Sequence, residues 1–454
     1  MASPSSRDLA LTALNRFERE SIPPRYFLED AFVKYPDISE RDRALAVHLT
    51  NGVLRWRLQL DWVIEQHLRF PFRKVEPTVL NIIRIALYQI LFMDRIPYAA
   101  AVNEAVKQAK KIKRPHLVRF VNGLLRQIIR KKDSTPFPDQ ETDPVRYYSV
   151  SYSYPPWLVR KWIAELGEAP ASDLMEASNQ IPDLVIRTNT LKISRDSFID
   201  RLKQDGVVGV PTPYSPVGIR IKEIKGPITK LAAFKAGLFQ VQGEAAQVCT
   251  MLLGPLKGKR VLDVCAGVGG KTTLLAELVG PRGGVIGLDI RRVSLVRLAE
   301  AARRLGTSWI YPILYDATKS MGGLFKNRFQ YILVDSPCSG LGTISKRPDI
   351  KWTKTEEQIQ QLSRDQAQIL SRASELLCEG GKLLYVTCTI SRQENEEVIE
   401  GFLASHQWMQ LVDLRAVAPQ WARELIDDDG FFRSYPHVHH MDGFFAAMLT
   451  KKEE

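Results

Sequence analysis

From about residue 258 onward the chain alternates short β-rich runs with helix-length segments, and this alternation restricts the fold more than any other feature. Residues 260–264, 285–289, 309–314, 331–335 and 382–387 read as strands, and 271–278, 291–305 and 358–378 read as helices between them. Strand–helix alternation of this kind predicts a Rossmann-like, doubly wound, mostly parallel sheet whose ligands sit at the carboxyl ends of the strands. A late apolar run, 444–449, is expected as an antiparallel strand at an edge of that sheet.

The first strand runs into Asp263-Val-Cys265-Ala266-Gly267-Val268-Gly269-Gly270-Lys271-Thr272. Glycines let a ligand approach the backbone, and the following helix offers unpaired N–H groups. Alone, such a turn is equally well a tight structural corner. Asp289, however, closes the next strand 19 residues after Gly270, where a carboxylate accepts both hydroxyls of a ribose. Gly270-Lys271-Thr272 copies the end of a phosphate-binding P-loop, but that loop requires glycine where this chain has Cys265. No complete G-x-G-x-x-G is present either. A nucleoside cofactor with little phosphate remains, and S-adenosylmethionine fits, with Asp316 after the third strand placed for its adenine amino group.

Five cysteines, at 249, 265, 338, 378 and 388, cannot all pair, and none forms a C-x-x-C. A disulfide framework or a zinc site is therefore not expected, and free thiols point to a reducing, cytoplasmic setting. Cys338 follows Asp335-Ser-Pro at one strand end, and Cys388 lies in Thr387-Cys388-Thr389 at the next. A single cysteine is most often buried packing, which is the reading for Cys249 and Cys378. Two thiols at two neighbouring strand ends predict that at least one is a nucleophile.

Residues 1–132 carry apolar positions at helical spacing and little strand-like alternation. Their most apolar stretch, 79–93, is interrupted by Asn81, Arg84 and Gln89 and is too short to span a bilayer, so a buried helix is expected and no membrane association. The opening residues, 1–7, lack the apolar segment of a secretory leader. Positions 1–140 hold 24 basic and 15 acidic residues, most of the whole chain's surplus of +12. Lys107, Lys110, Lys111, Lys113, Arg114, Arg119, Arg126, Arg130, Lys131 and Lys132 follow one another with no acid between. Such a run is either a solvated face or a seat for a polyanion such as RNA. A Pro- and Asp-rich stretch, 133–143, reads as a linker, and 141–236 as a small α/β module. Tyr152, Tyr154, Trp157 and Trp162 suit core packing better than base stacking. His437, His439 and His440 lack a recognised ligand spacing, so no metal is expected.

Taken together, these motifs resemble the RNA 5-methylcytosine methyltransferases, over most of the chain. The Asp-Ser-Pro-Cys338 and Thr-Cys388-Thr pair is the most specific match. Arg187-Thr-Asn189, Arg347-Pro-Asp-Ile-Lys-Trp352 and Asp442-Gly-Phe-Phe445 add to it. Ile85–Pro97, Ala101–Val106 and Phe120–Arg126 are similar to a NusB-type RNA-binding domain, which precedes the catalytic half in the family's bacterial ribosomal-RNA branch. The resemblance implies three domains: 1–140 helical and NusB-like, 141–236 a small α/β module, and 237–454 the methyltransferase domain. It implies that Cys265 to Lys271, Asp289, Asp316 and Asp335 hold S-adenosylmethionine. Cys388 would be the nucleophile on cytosine carbon 6, Cys338 would assist product release, and Asp335, if protonated, would donate to ring nitrogen 3. Lys107, Lys110, Lys111, Lys113, Arg114 and Arg187 are expected to meet small-subunit ribosomal RNA, with the protein acting as a monomer. The chain departs from the family at Ala266-Gly267-Val268, where Ala-Ala-Pro is usual, at Ser336 for Ala, and at Tyr154 for His. The competing reading is a non-catalytic RNA-binding assembly factor on a methyltransferase fold, and the intact thiol pair with Asp335 argues against it.

Overall fold

The computed structural model describes residues 3–325 and 328–453, and the chain forms two compact units. One comprises Met1–Asn179 with Arg347–Thr353, and the other Gln180–Lys346 with Lys354–Glu454. The leader reading drew partly on residues 1 and 2, which lie outside the described residues.

The first unit is helical, with no strand among its described residues. Its opening helix, Ser6–Glu20, is fixed by a capping box, in which Ser5 and Asp8 exchange side chain-to-backbone hydrogen bonds. The apolar stretch noted above is the helix Pro77–Phe92, whose first turn carries the proline that N-termini tolerate and whose buried residues run from Val79 to Ile90. The polar interruptions find partners within the helical unit. Arg84 donates to both oxygens of Asp61 at 2.7 Å and to Glu18 at 2.9 Å. Asn81 reaches Asn15 at 2.9 Å. Unpairing a buried arginine of this kind costs about 3–5 kcal/mol. Among the described residues no helix is long and apolar enough to cross a membrane.

Residues 347–353 join this unit although they lie far along the chain. Lys351 is fully buried. Its Nζ donates to Asn179 Oδ1 at 2.7 Å and to the carbonyls of Arg55 and Ser153 at 3.1 Å each. It also lies 3.5 Å from the centre of the Tyr154 ring. Trp352 donates its indole N–H to the Leu54 carbonyl at 2.7 Å. Burial pushes the Lys351 pKa well below its ordinary value. Tyr154 and Trp162 are buried against each other, as core packing requires.

The second unit contains two sheets. Strands β1 (Leu184–Thr188), β2 (Val208–Pro211), β3 (Gly218–Glu223) and β4 (Phe239–Val241) form a four-stranded antiparallel sheet in the order β2-β3-β1-β4. The larger sheet comprises β5 (Arg260–Asp263), β6 (Gly284–Asp289), β7 (Ile310–Leu314), β8 (Phe329–Asp335), β9 (Leu377–Thr387), β10 (Met409–Val412), β11 (Phe432–Ser434) and β12 (Phe444–Lys451). Its order is β10-β12-β9-β8-β5-β6-β7, with β11 paired to β12. The five strands β5 to β9 are parallel, as the alternation predicts. The late strand is antiparallel as expected but not at an edge, because β10 pairs with its far side. Successive residues of β8 and β9 enter two different cores. Leu333, Leu384 and Val386 pack on one face, and Ile332, Val334 and Tyr385 on the other. Burial on both faces is what a parallel sheet demands, and it leaves only the strand ends open for chemistry.

Candidate active site

The turn after β5 takes its shape from two left-handed glycines, Gly267 (φ +56°) and Gly269 (φ +90°). A Cβ on Gly269 would come within 2.3 Å of the Leu298 side chain and sit at a left-handed φ, so a larger residue would displace that leucine and strain the entry to the helix Gly270–Val279. A Cβ on Gly267 would meet nothing within 4 Å, which leaves open ground over the turn. Asp289, at the end of β6, accepts from the Gly267 N–H at 2.9 Å and from the Arg291 N–H at 2.8 Å. Each of its oxygens keeps a lone pair for a ribose hydroxyl. Asp316, just beyond β7, is held by the Thr318 hydroxyl and N–H, which lower its pKa and keep it ionised. These groups suit a nucleoside, and the residues from Cys265 to Lys271 surround the same turn.

Asp263 and Cys265 serve the turn from below. Burial pushes the Asp263 carboxyl up to about 7, while the Thr272 hydroxyl donates to its Oδ2 at 2.7 Å. Burial also pushes the Cys265 thiol well up, which removes it as a nucleophile.

At the ends of β8 and β9 the two predicted thiols meet. Cys338 Sγ and Cys388 Sγ lie 3.2 Å apart, and the Cys388 N–H points at the Cys338 sulfur at 3.3 Å. The register explains the meeting. Asp335 pairs with Val386, so both chains leave the sheet at the same level. Lys271 Nζ donates to Asp335 Oδ1 at 2.7 Å and lies 5.0 Å from the Phe444 ring centre. Burial disfavours the Lys271 ammonium, but the Asp335 carboxylate outweighs it and raises the pKa. The thiols are not equivalent. The Cys338 S–H lowers the Cys388 pKa, with burial opposing and Lys271 adding. The same hydrogen bond, together with burial, drives Cys338 well above its usual range. Of the two, Cys388 is the more readily ionised and Cys338 the more firmly protonated.

Arg187 is a correction. It is 0 % exposed, and its guanidinium is spent inside the fold. It donates to Glu277 at 2.7 Å, Gly270 O at 2.9 Å, Thr273 Oγ1 at 3.1 Å and Gln242 Oε1. It ties β1 to the helix behind the cofactor turn and is not available to a phosphate. Lys107, Lys110, Lys111, Lys113 and Arg114 are exposed in the helical unit. Three of them have acidic partners: Lys107 pairs with Glu104, Lys111 with Asp8 and Arg114 with Glu76. Exposed pairs of this sort contribute little and exchange readily for another anion.

Sequence reading missed Glu394, Ser339, Thr389 and Gln366, which form a buried network behind the thiols. Glu394 is followed by Asn395-Glu396-Glu397, and acids at a helix start are ordinary, which hid it. Among the described residues no group of three His, Cys, Asp or Glu side chains is placed to hold a metal.

A doubly wound sheet with an open glycine turn and a strand-end carboxylate at its topological switch, and a thiol pair at the neighbouring strand ends, has the groups that an S-adenosylmethionine-dependent methyltransferase needs. Residues 250–450 match the family model described as 16S rRNA methyltransferase RsmB/F. Residues 4–130 match the NusB family, and 154–227 the ferredoxin-like domain of RsmF/B-like methyltransferases. The chain is 33% identical over its full length, and the relative's, to the probable ribosomal RNA small subunit methyltransferase B of Bacillus subtilis. It is 34% identical to ribosomal RNA small subunit methyltransferase B of Escherichia coli, over 91% of this chain and 92% of that one. A solved structure, that of PH0851, covers 99% of this chain and 100% of its own at 28% identity and a TM-score of 0.80. The chain belongs to the RsmB/F family of 16S rRNA methyltransferases.

Proposed function

We propose that this chain methylates carbon 5 of a cytosine in 16S ribosomal RNA through a covalent adduct on Cys388. The observation that carries the reading is the thiol pair, 3.2 Å apart and beside the Lys271–Asp335 ion pair. Carbon 5 of cytosine is too weak a nucleophile to take a methyl group unaided. The Cys388 thiolate adds to carbon 6, and the electron pair so displaced makes carbon 5 an enamine carbon. Charge reaching the ring is met by Lys271 and Asp335, paired at 2.7 Å. Cys265, Ala266, Gly267, Val268, Gly269, Gly270, Lys271, Asp289, Asp316 and Asp335 would hold S-adenosylmethionine, which would supply an electrophilic methyl for carbon 5 to bond, the sulfonium sulfur keeping the electron pair of the broken S–CH3 bond. Carbon 5 then gives up its proton to a base, the 5,6 double bond re-forms and the bond from carbon 6 to Cys388 breaks. The Cys338 S–H stabilises the departing thiolate, so release depends on it. The base must leave its stack to reach the sulfur, which favours an exposed loop or unpaired strand.

In this reading residues 1–140 supply the RNA-binding domain, through Lys107, Lys110, Lys111, Lys113 and Arg114. Residues 141–236 form the connecting module, and 237–454 carry the catalysis, with the protein working as a cytoplasmic monomer. Bisulfite sequencing of 16S RNA from cells with and without the gene tests it. A cytosine protected only when the protein is present is the expected result. Identical protection patterns would overturn the assignment to carbon 5.

A further inference from the structure

Glu394 is 0 % exposed and closes the short turn Arg392–Glu394, beyond the end of β9. Its two oxygens are bound from both thiol-bearing loops. Oε1 accepts from the Ser339 N–H at 2.7 Å and from Gln366 Nε2 at 3.0 Å. Oε2 accepts from the Ser339 hydroxyl at 2.5 Å and the Thr389 hydroxyl at 3.2 Å. Ser339 follows Cys338, and Thr389 follows Cys388. The two hydroxyls are themselves 2.8 Å apart. Gln366 also donates to the carbonyl of Pro337, the residue before Cys338, at 2.9 Å. The neighbouring Asn395 brackets Cys388 from the other side, accepting from Thr387 Oγ1 at 2.6 Å and donating to Thr389 O at 3.1 Å.

All of the donors to Glu394 are neutral. A buried carboxyl with no cationic partner among the described residues is a costly choice for a mere filler, and burial accordingly raises its pKa against the pull of those hydrogen bonds. What the carboxyl provides is two acceptor oxygens at a fixed spacing, one rigid group to which the residue after each sulfur is tied. We propose that Glu394 is a positioning residue for methyl transfer, holding Cys338 and Cys388 at their working separation by binding Ser339 and Thr389 together. This rests on the reading that the two thiols act as a pair.

The test compares the full-length wild type with Glu394→Ala and Glu394→Gln. Three quantities are measured on each: S-adenosylmethionine binding, kcat and KM for 16S RNA methylation, and the rate at which diamide joins Cys338 to Cys388. Diamide takes two electrons and two protons from the thiols as the S–S bond forms, so this rate reports sulfur spacing independently of methylation. Peptide mass identifies the linked pair. The alanine variant is expected to bind S-adenosylmethionine normally and to keep its KM for RNA. Its kcat should fall about a hundredfold, and its disulfide should form about tenfold more slowly. Glutamine keeps Oε1 as an acceptor for the Ser339 N–H and Gln366 and can donate to the hydroxyls, so it should recover most of both losses. An alanine variant with unchanged kcat, or with lowered kcat and an unchanged disulfide rate, overturns the proposal. So does a glutamine variant as impaired as alanine. If alanine abolishes S-adenosylmethionine binding, Glu394→Asp, shorter by one methylene, replaces it, and kcat and disulfide rate must again fall together. A wild type that forms no adduct and leaves carbon 5 unmethylated refutes the thiol-pair reading itself, whereas a methylating wild type with indifferent variants refutes only the role of Glu394.

Discussion

Replacing Cys338 with alanine removes the hydrogen bond that favours ionisation of Cys388, and the size of the effect follows from the geometry. The two sulfurs are 3.2 Å apart, and the Cys338 S–H is the leading cause of the lowered Cys388 pKa. A hydrogen bond to a charged group contributes about 1.5–3 kcal/mol. At about 1.4 kcal/mol per factor of ten, losing it reduces the thiolate population below the titration midpoint by roughly ten- to a hundredfold. A more basic thiolate is also a better nucleophile, with a Brønsted coefficient of about 0.5, which restores half of that loss on a logarithmic scale. The net expectation is an iodoacetamide alkylation rate at Cys388 that falls about three- to tenfold at mildly acidic pH. The midpoint should move to higher pH, and the plateau above it should rise. Following each cysteine by peptide mass separates Cys388 from Cys249, Cys265 and Cys378. A profile that stays in place, or moves to lower pH, would mean that Cys338 is the thiolate and the assignment of the pair is inverted.

Four further outcomes follow from the same structure. Cys338→Ala should accumulate a covalent RNA–protein band on denaturing gels, because attack proceeds and release stalls, and Cys388→Ala should give neither band nor product. A band from the Cys388 variant would exchange their roles. Substituting glutamine at Lys110, Lys111, Lys113 and Arg114 should weaken RNA binding and make its log–log salt slope shallower by about 3, at about 0.7–0.9 per phosphate contact. A slope that does not change would clear this face of phosphate contact. Arg187→Met strands Glu277, already raised by burial, without its partner. Thermal melting should show a loss of about 3–5 kcal/mol, with the RNA salt slope unaltered, and a shallower slope would restore Arg187 as an RNA contact. Asp263 titrates near 7 in the fold against 3.8 ordinarily, so the native state binds the extra proton. Its contribution to stability is present below 3.8 and is lost as pH rises toward 7. Melting of Asp263→Asn should show a weaker decline across that window, and an identical decline would place the titration elsewhere.

The parts of this structure that were readable from sequence are those governed by local pattern. The parallel strands announce themselves because burial on both faces requires unbroken apolar runs such as Tyr331–Val334. The thiols stand out because each ends such a run. What could not be read depends on partners far along the chain. Arg187 looks like a surface cation until Glu277 is folded against it. The counter-ions of the basic run, Asp8 and Glu76, lie outside it. β10 is too short and too mixed in polarity to read as a strand, and without it β12 is left looking like an edge. Glu394 is masked by the acids beside it, and its burial comes from Ser339 and Gln366 on other elements.

The loan of Arg347–Thr353 to the helical unit has a consequence for how the protein is made. The carbonyls of Arg55 and Ser153 and the amide of Asn179 are synthesised long before the lysine that satisfies them. At about 5–20 residues per second, roughly 10–35 s of translation separate Asn179 from Thr353. Through that interval these three groups lack the Lys351 ammonium that binds them in the finished fold. A chain cut at 179 never gains it, so the helical unit is complete only after most of the second unit has been synthesised.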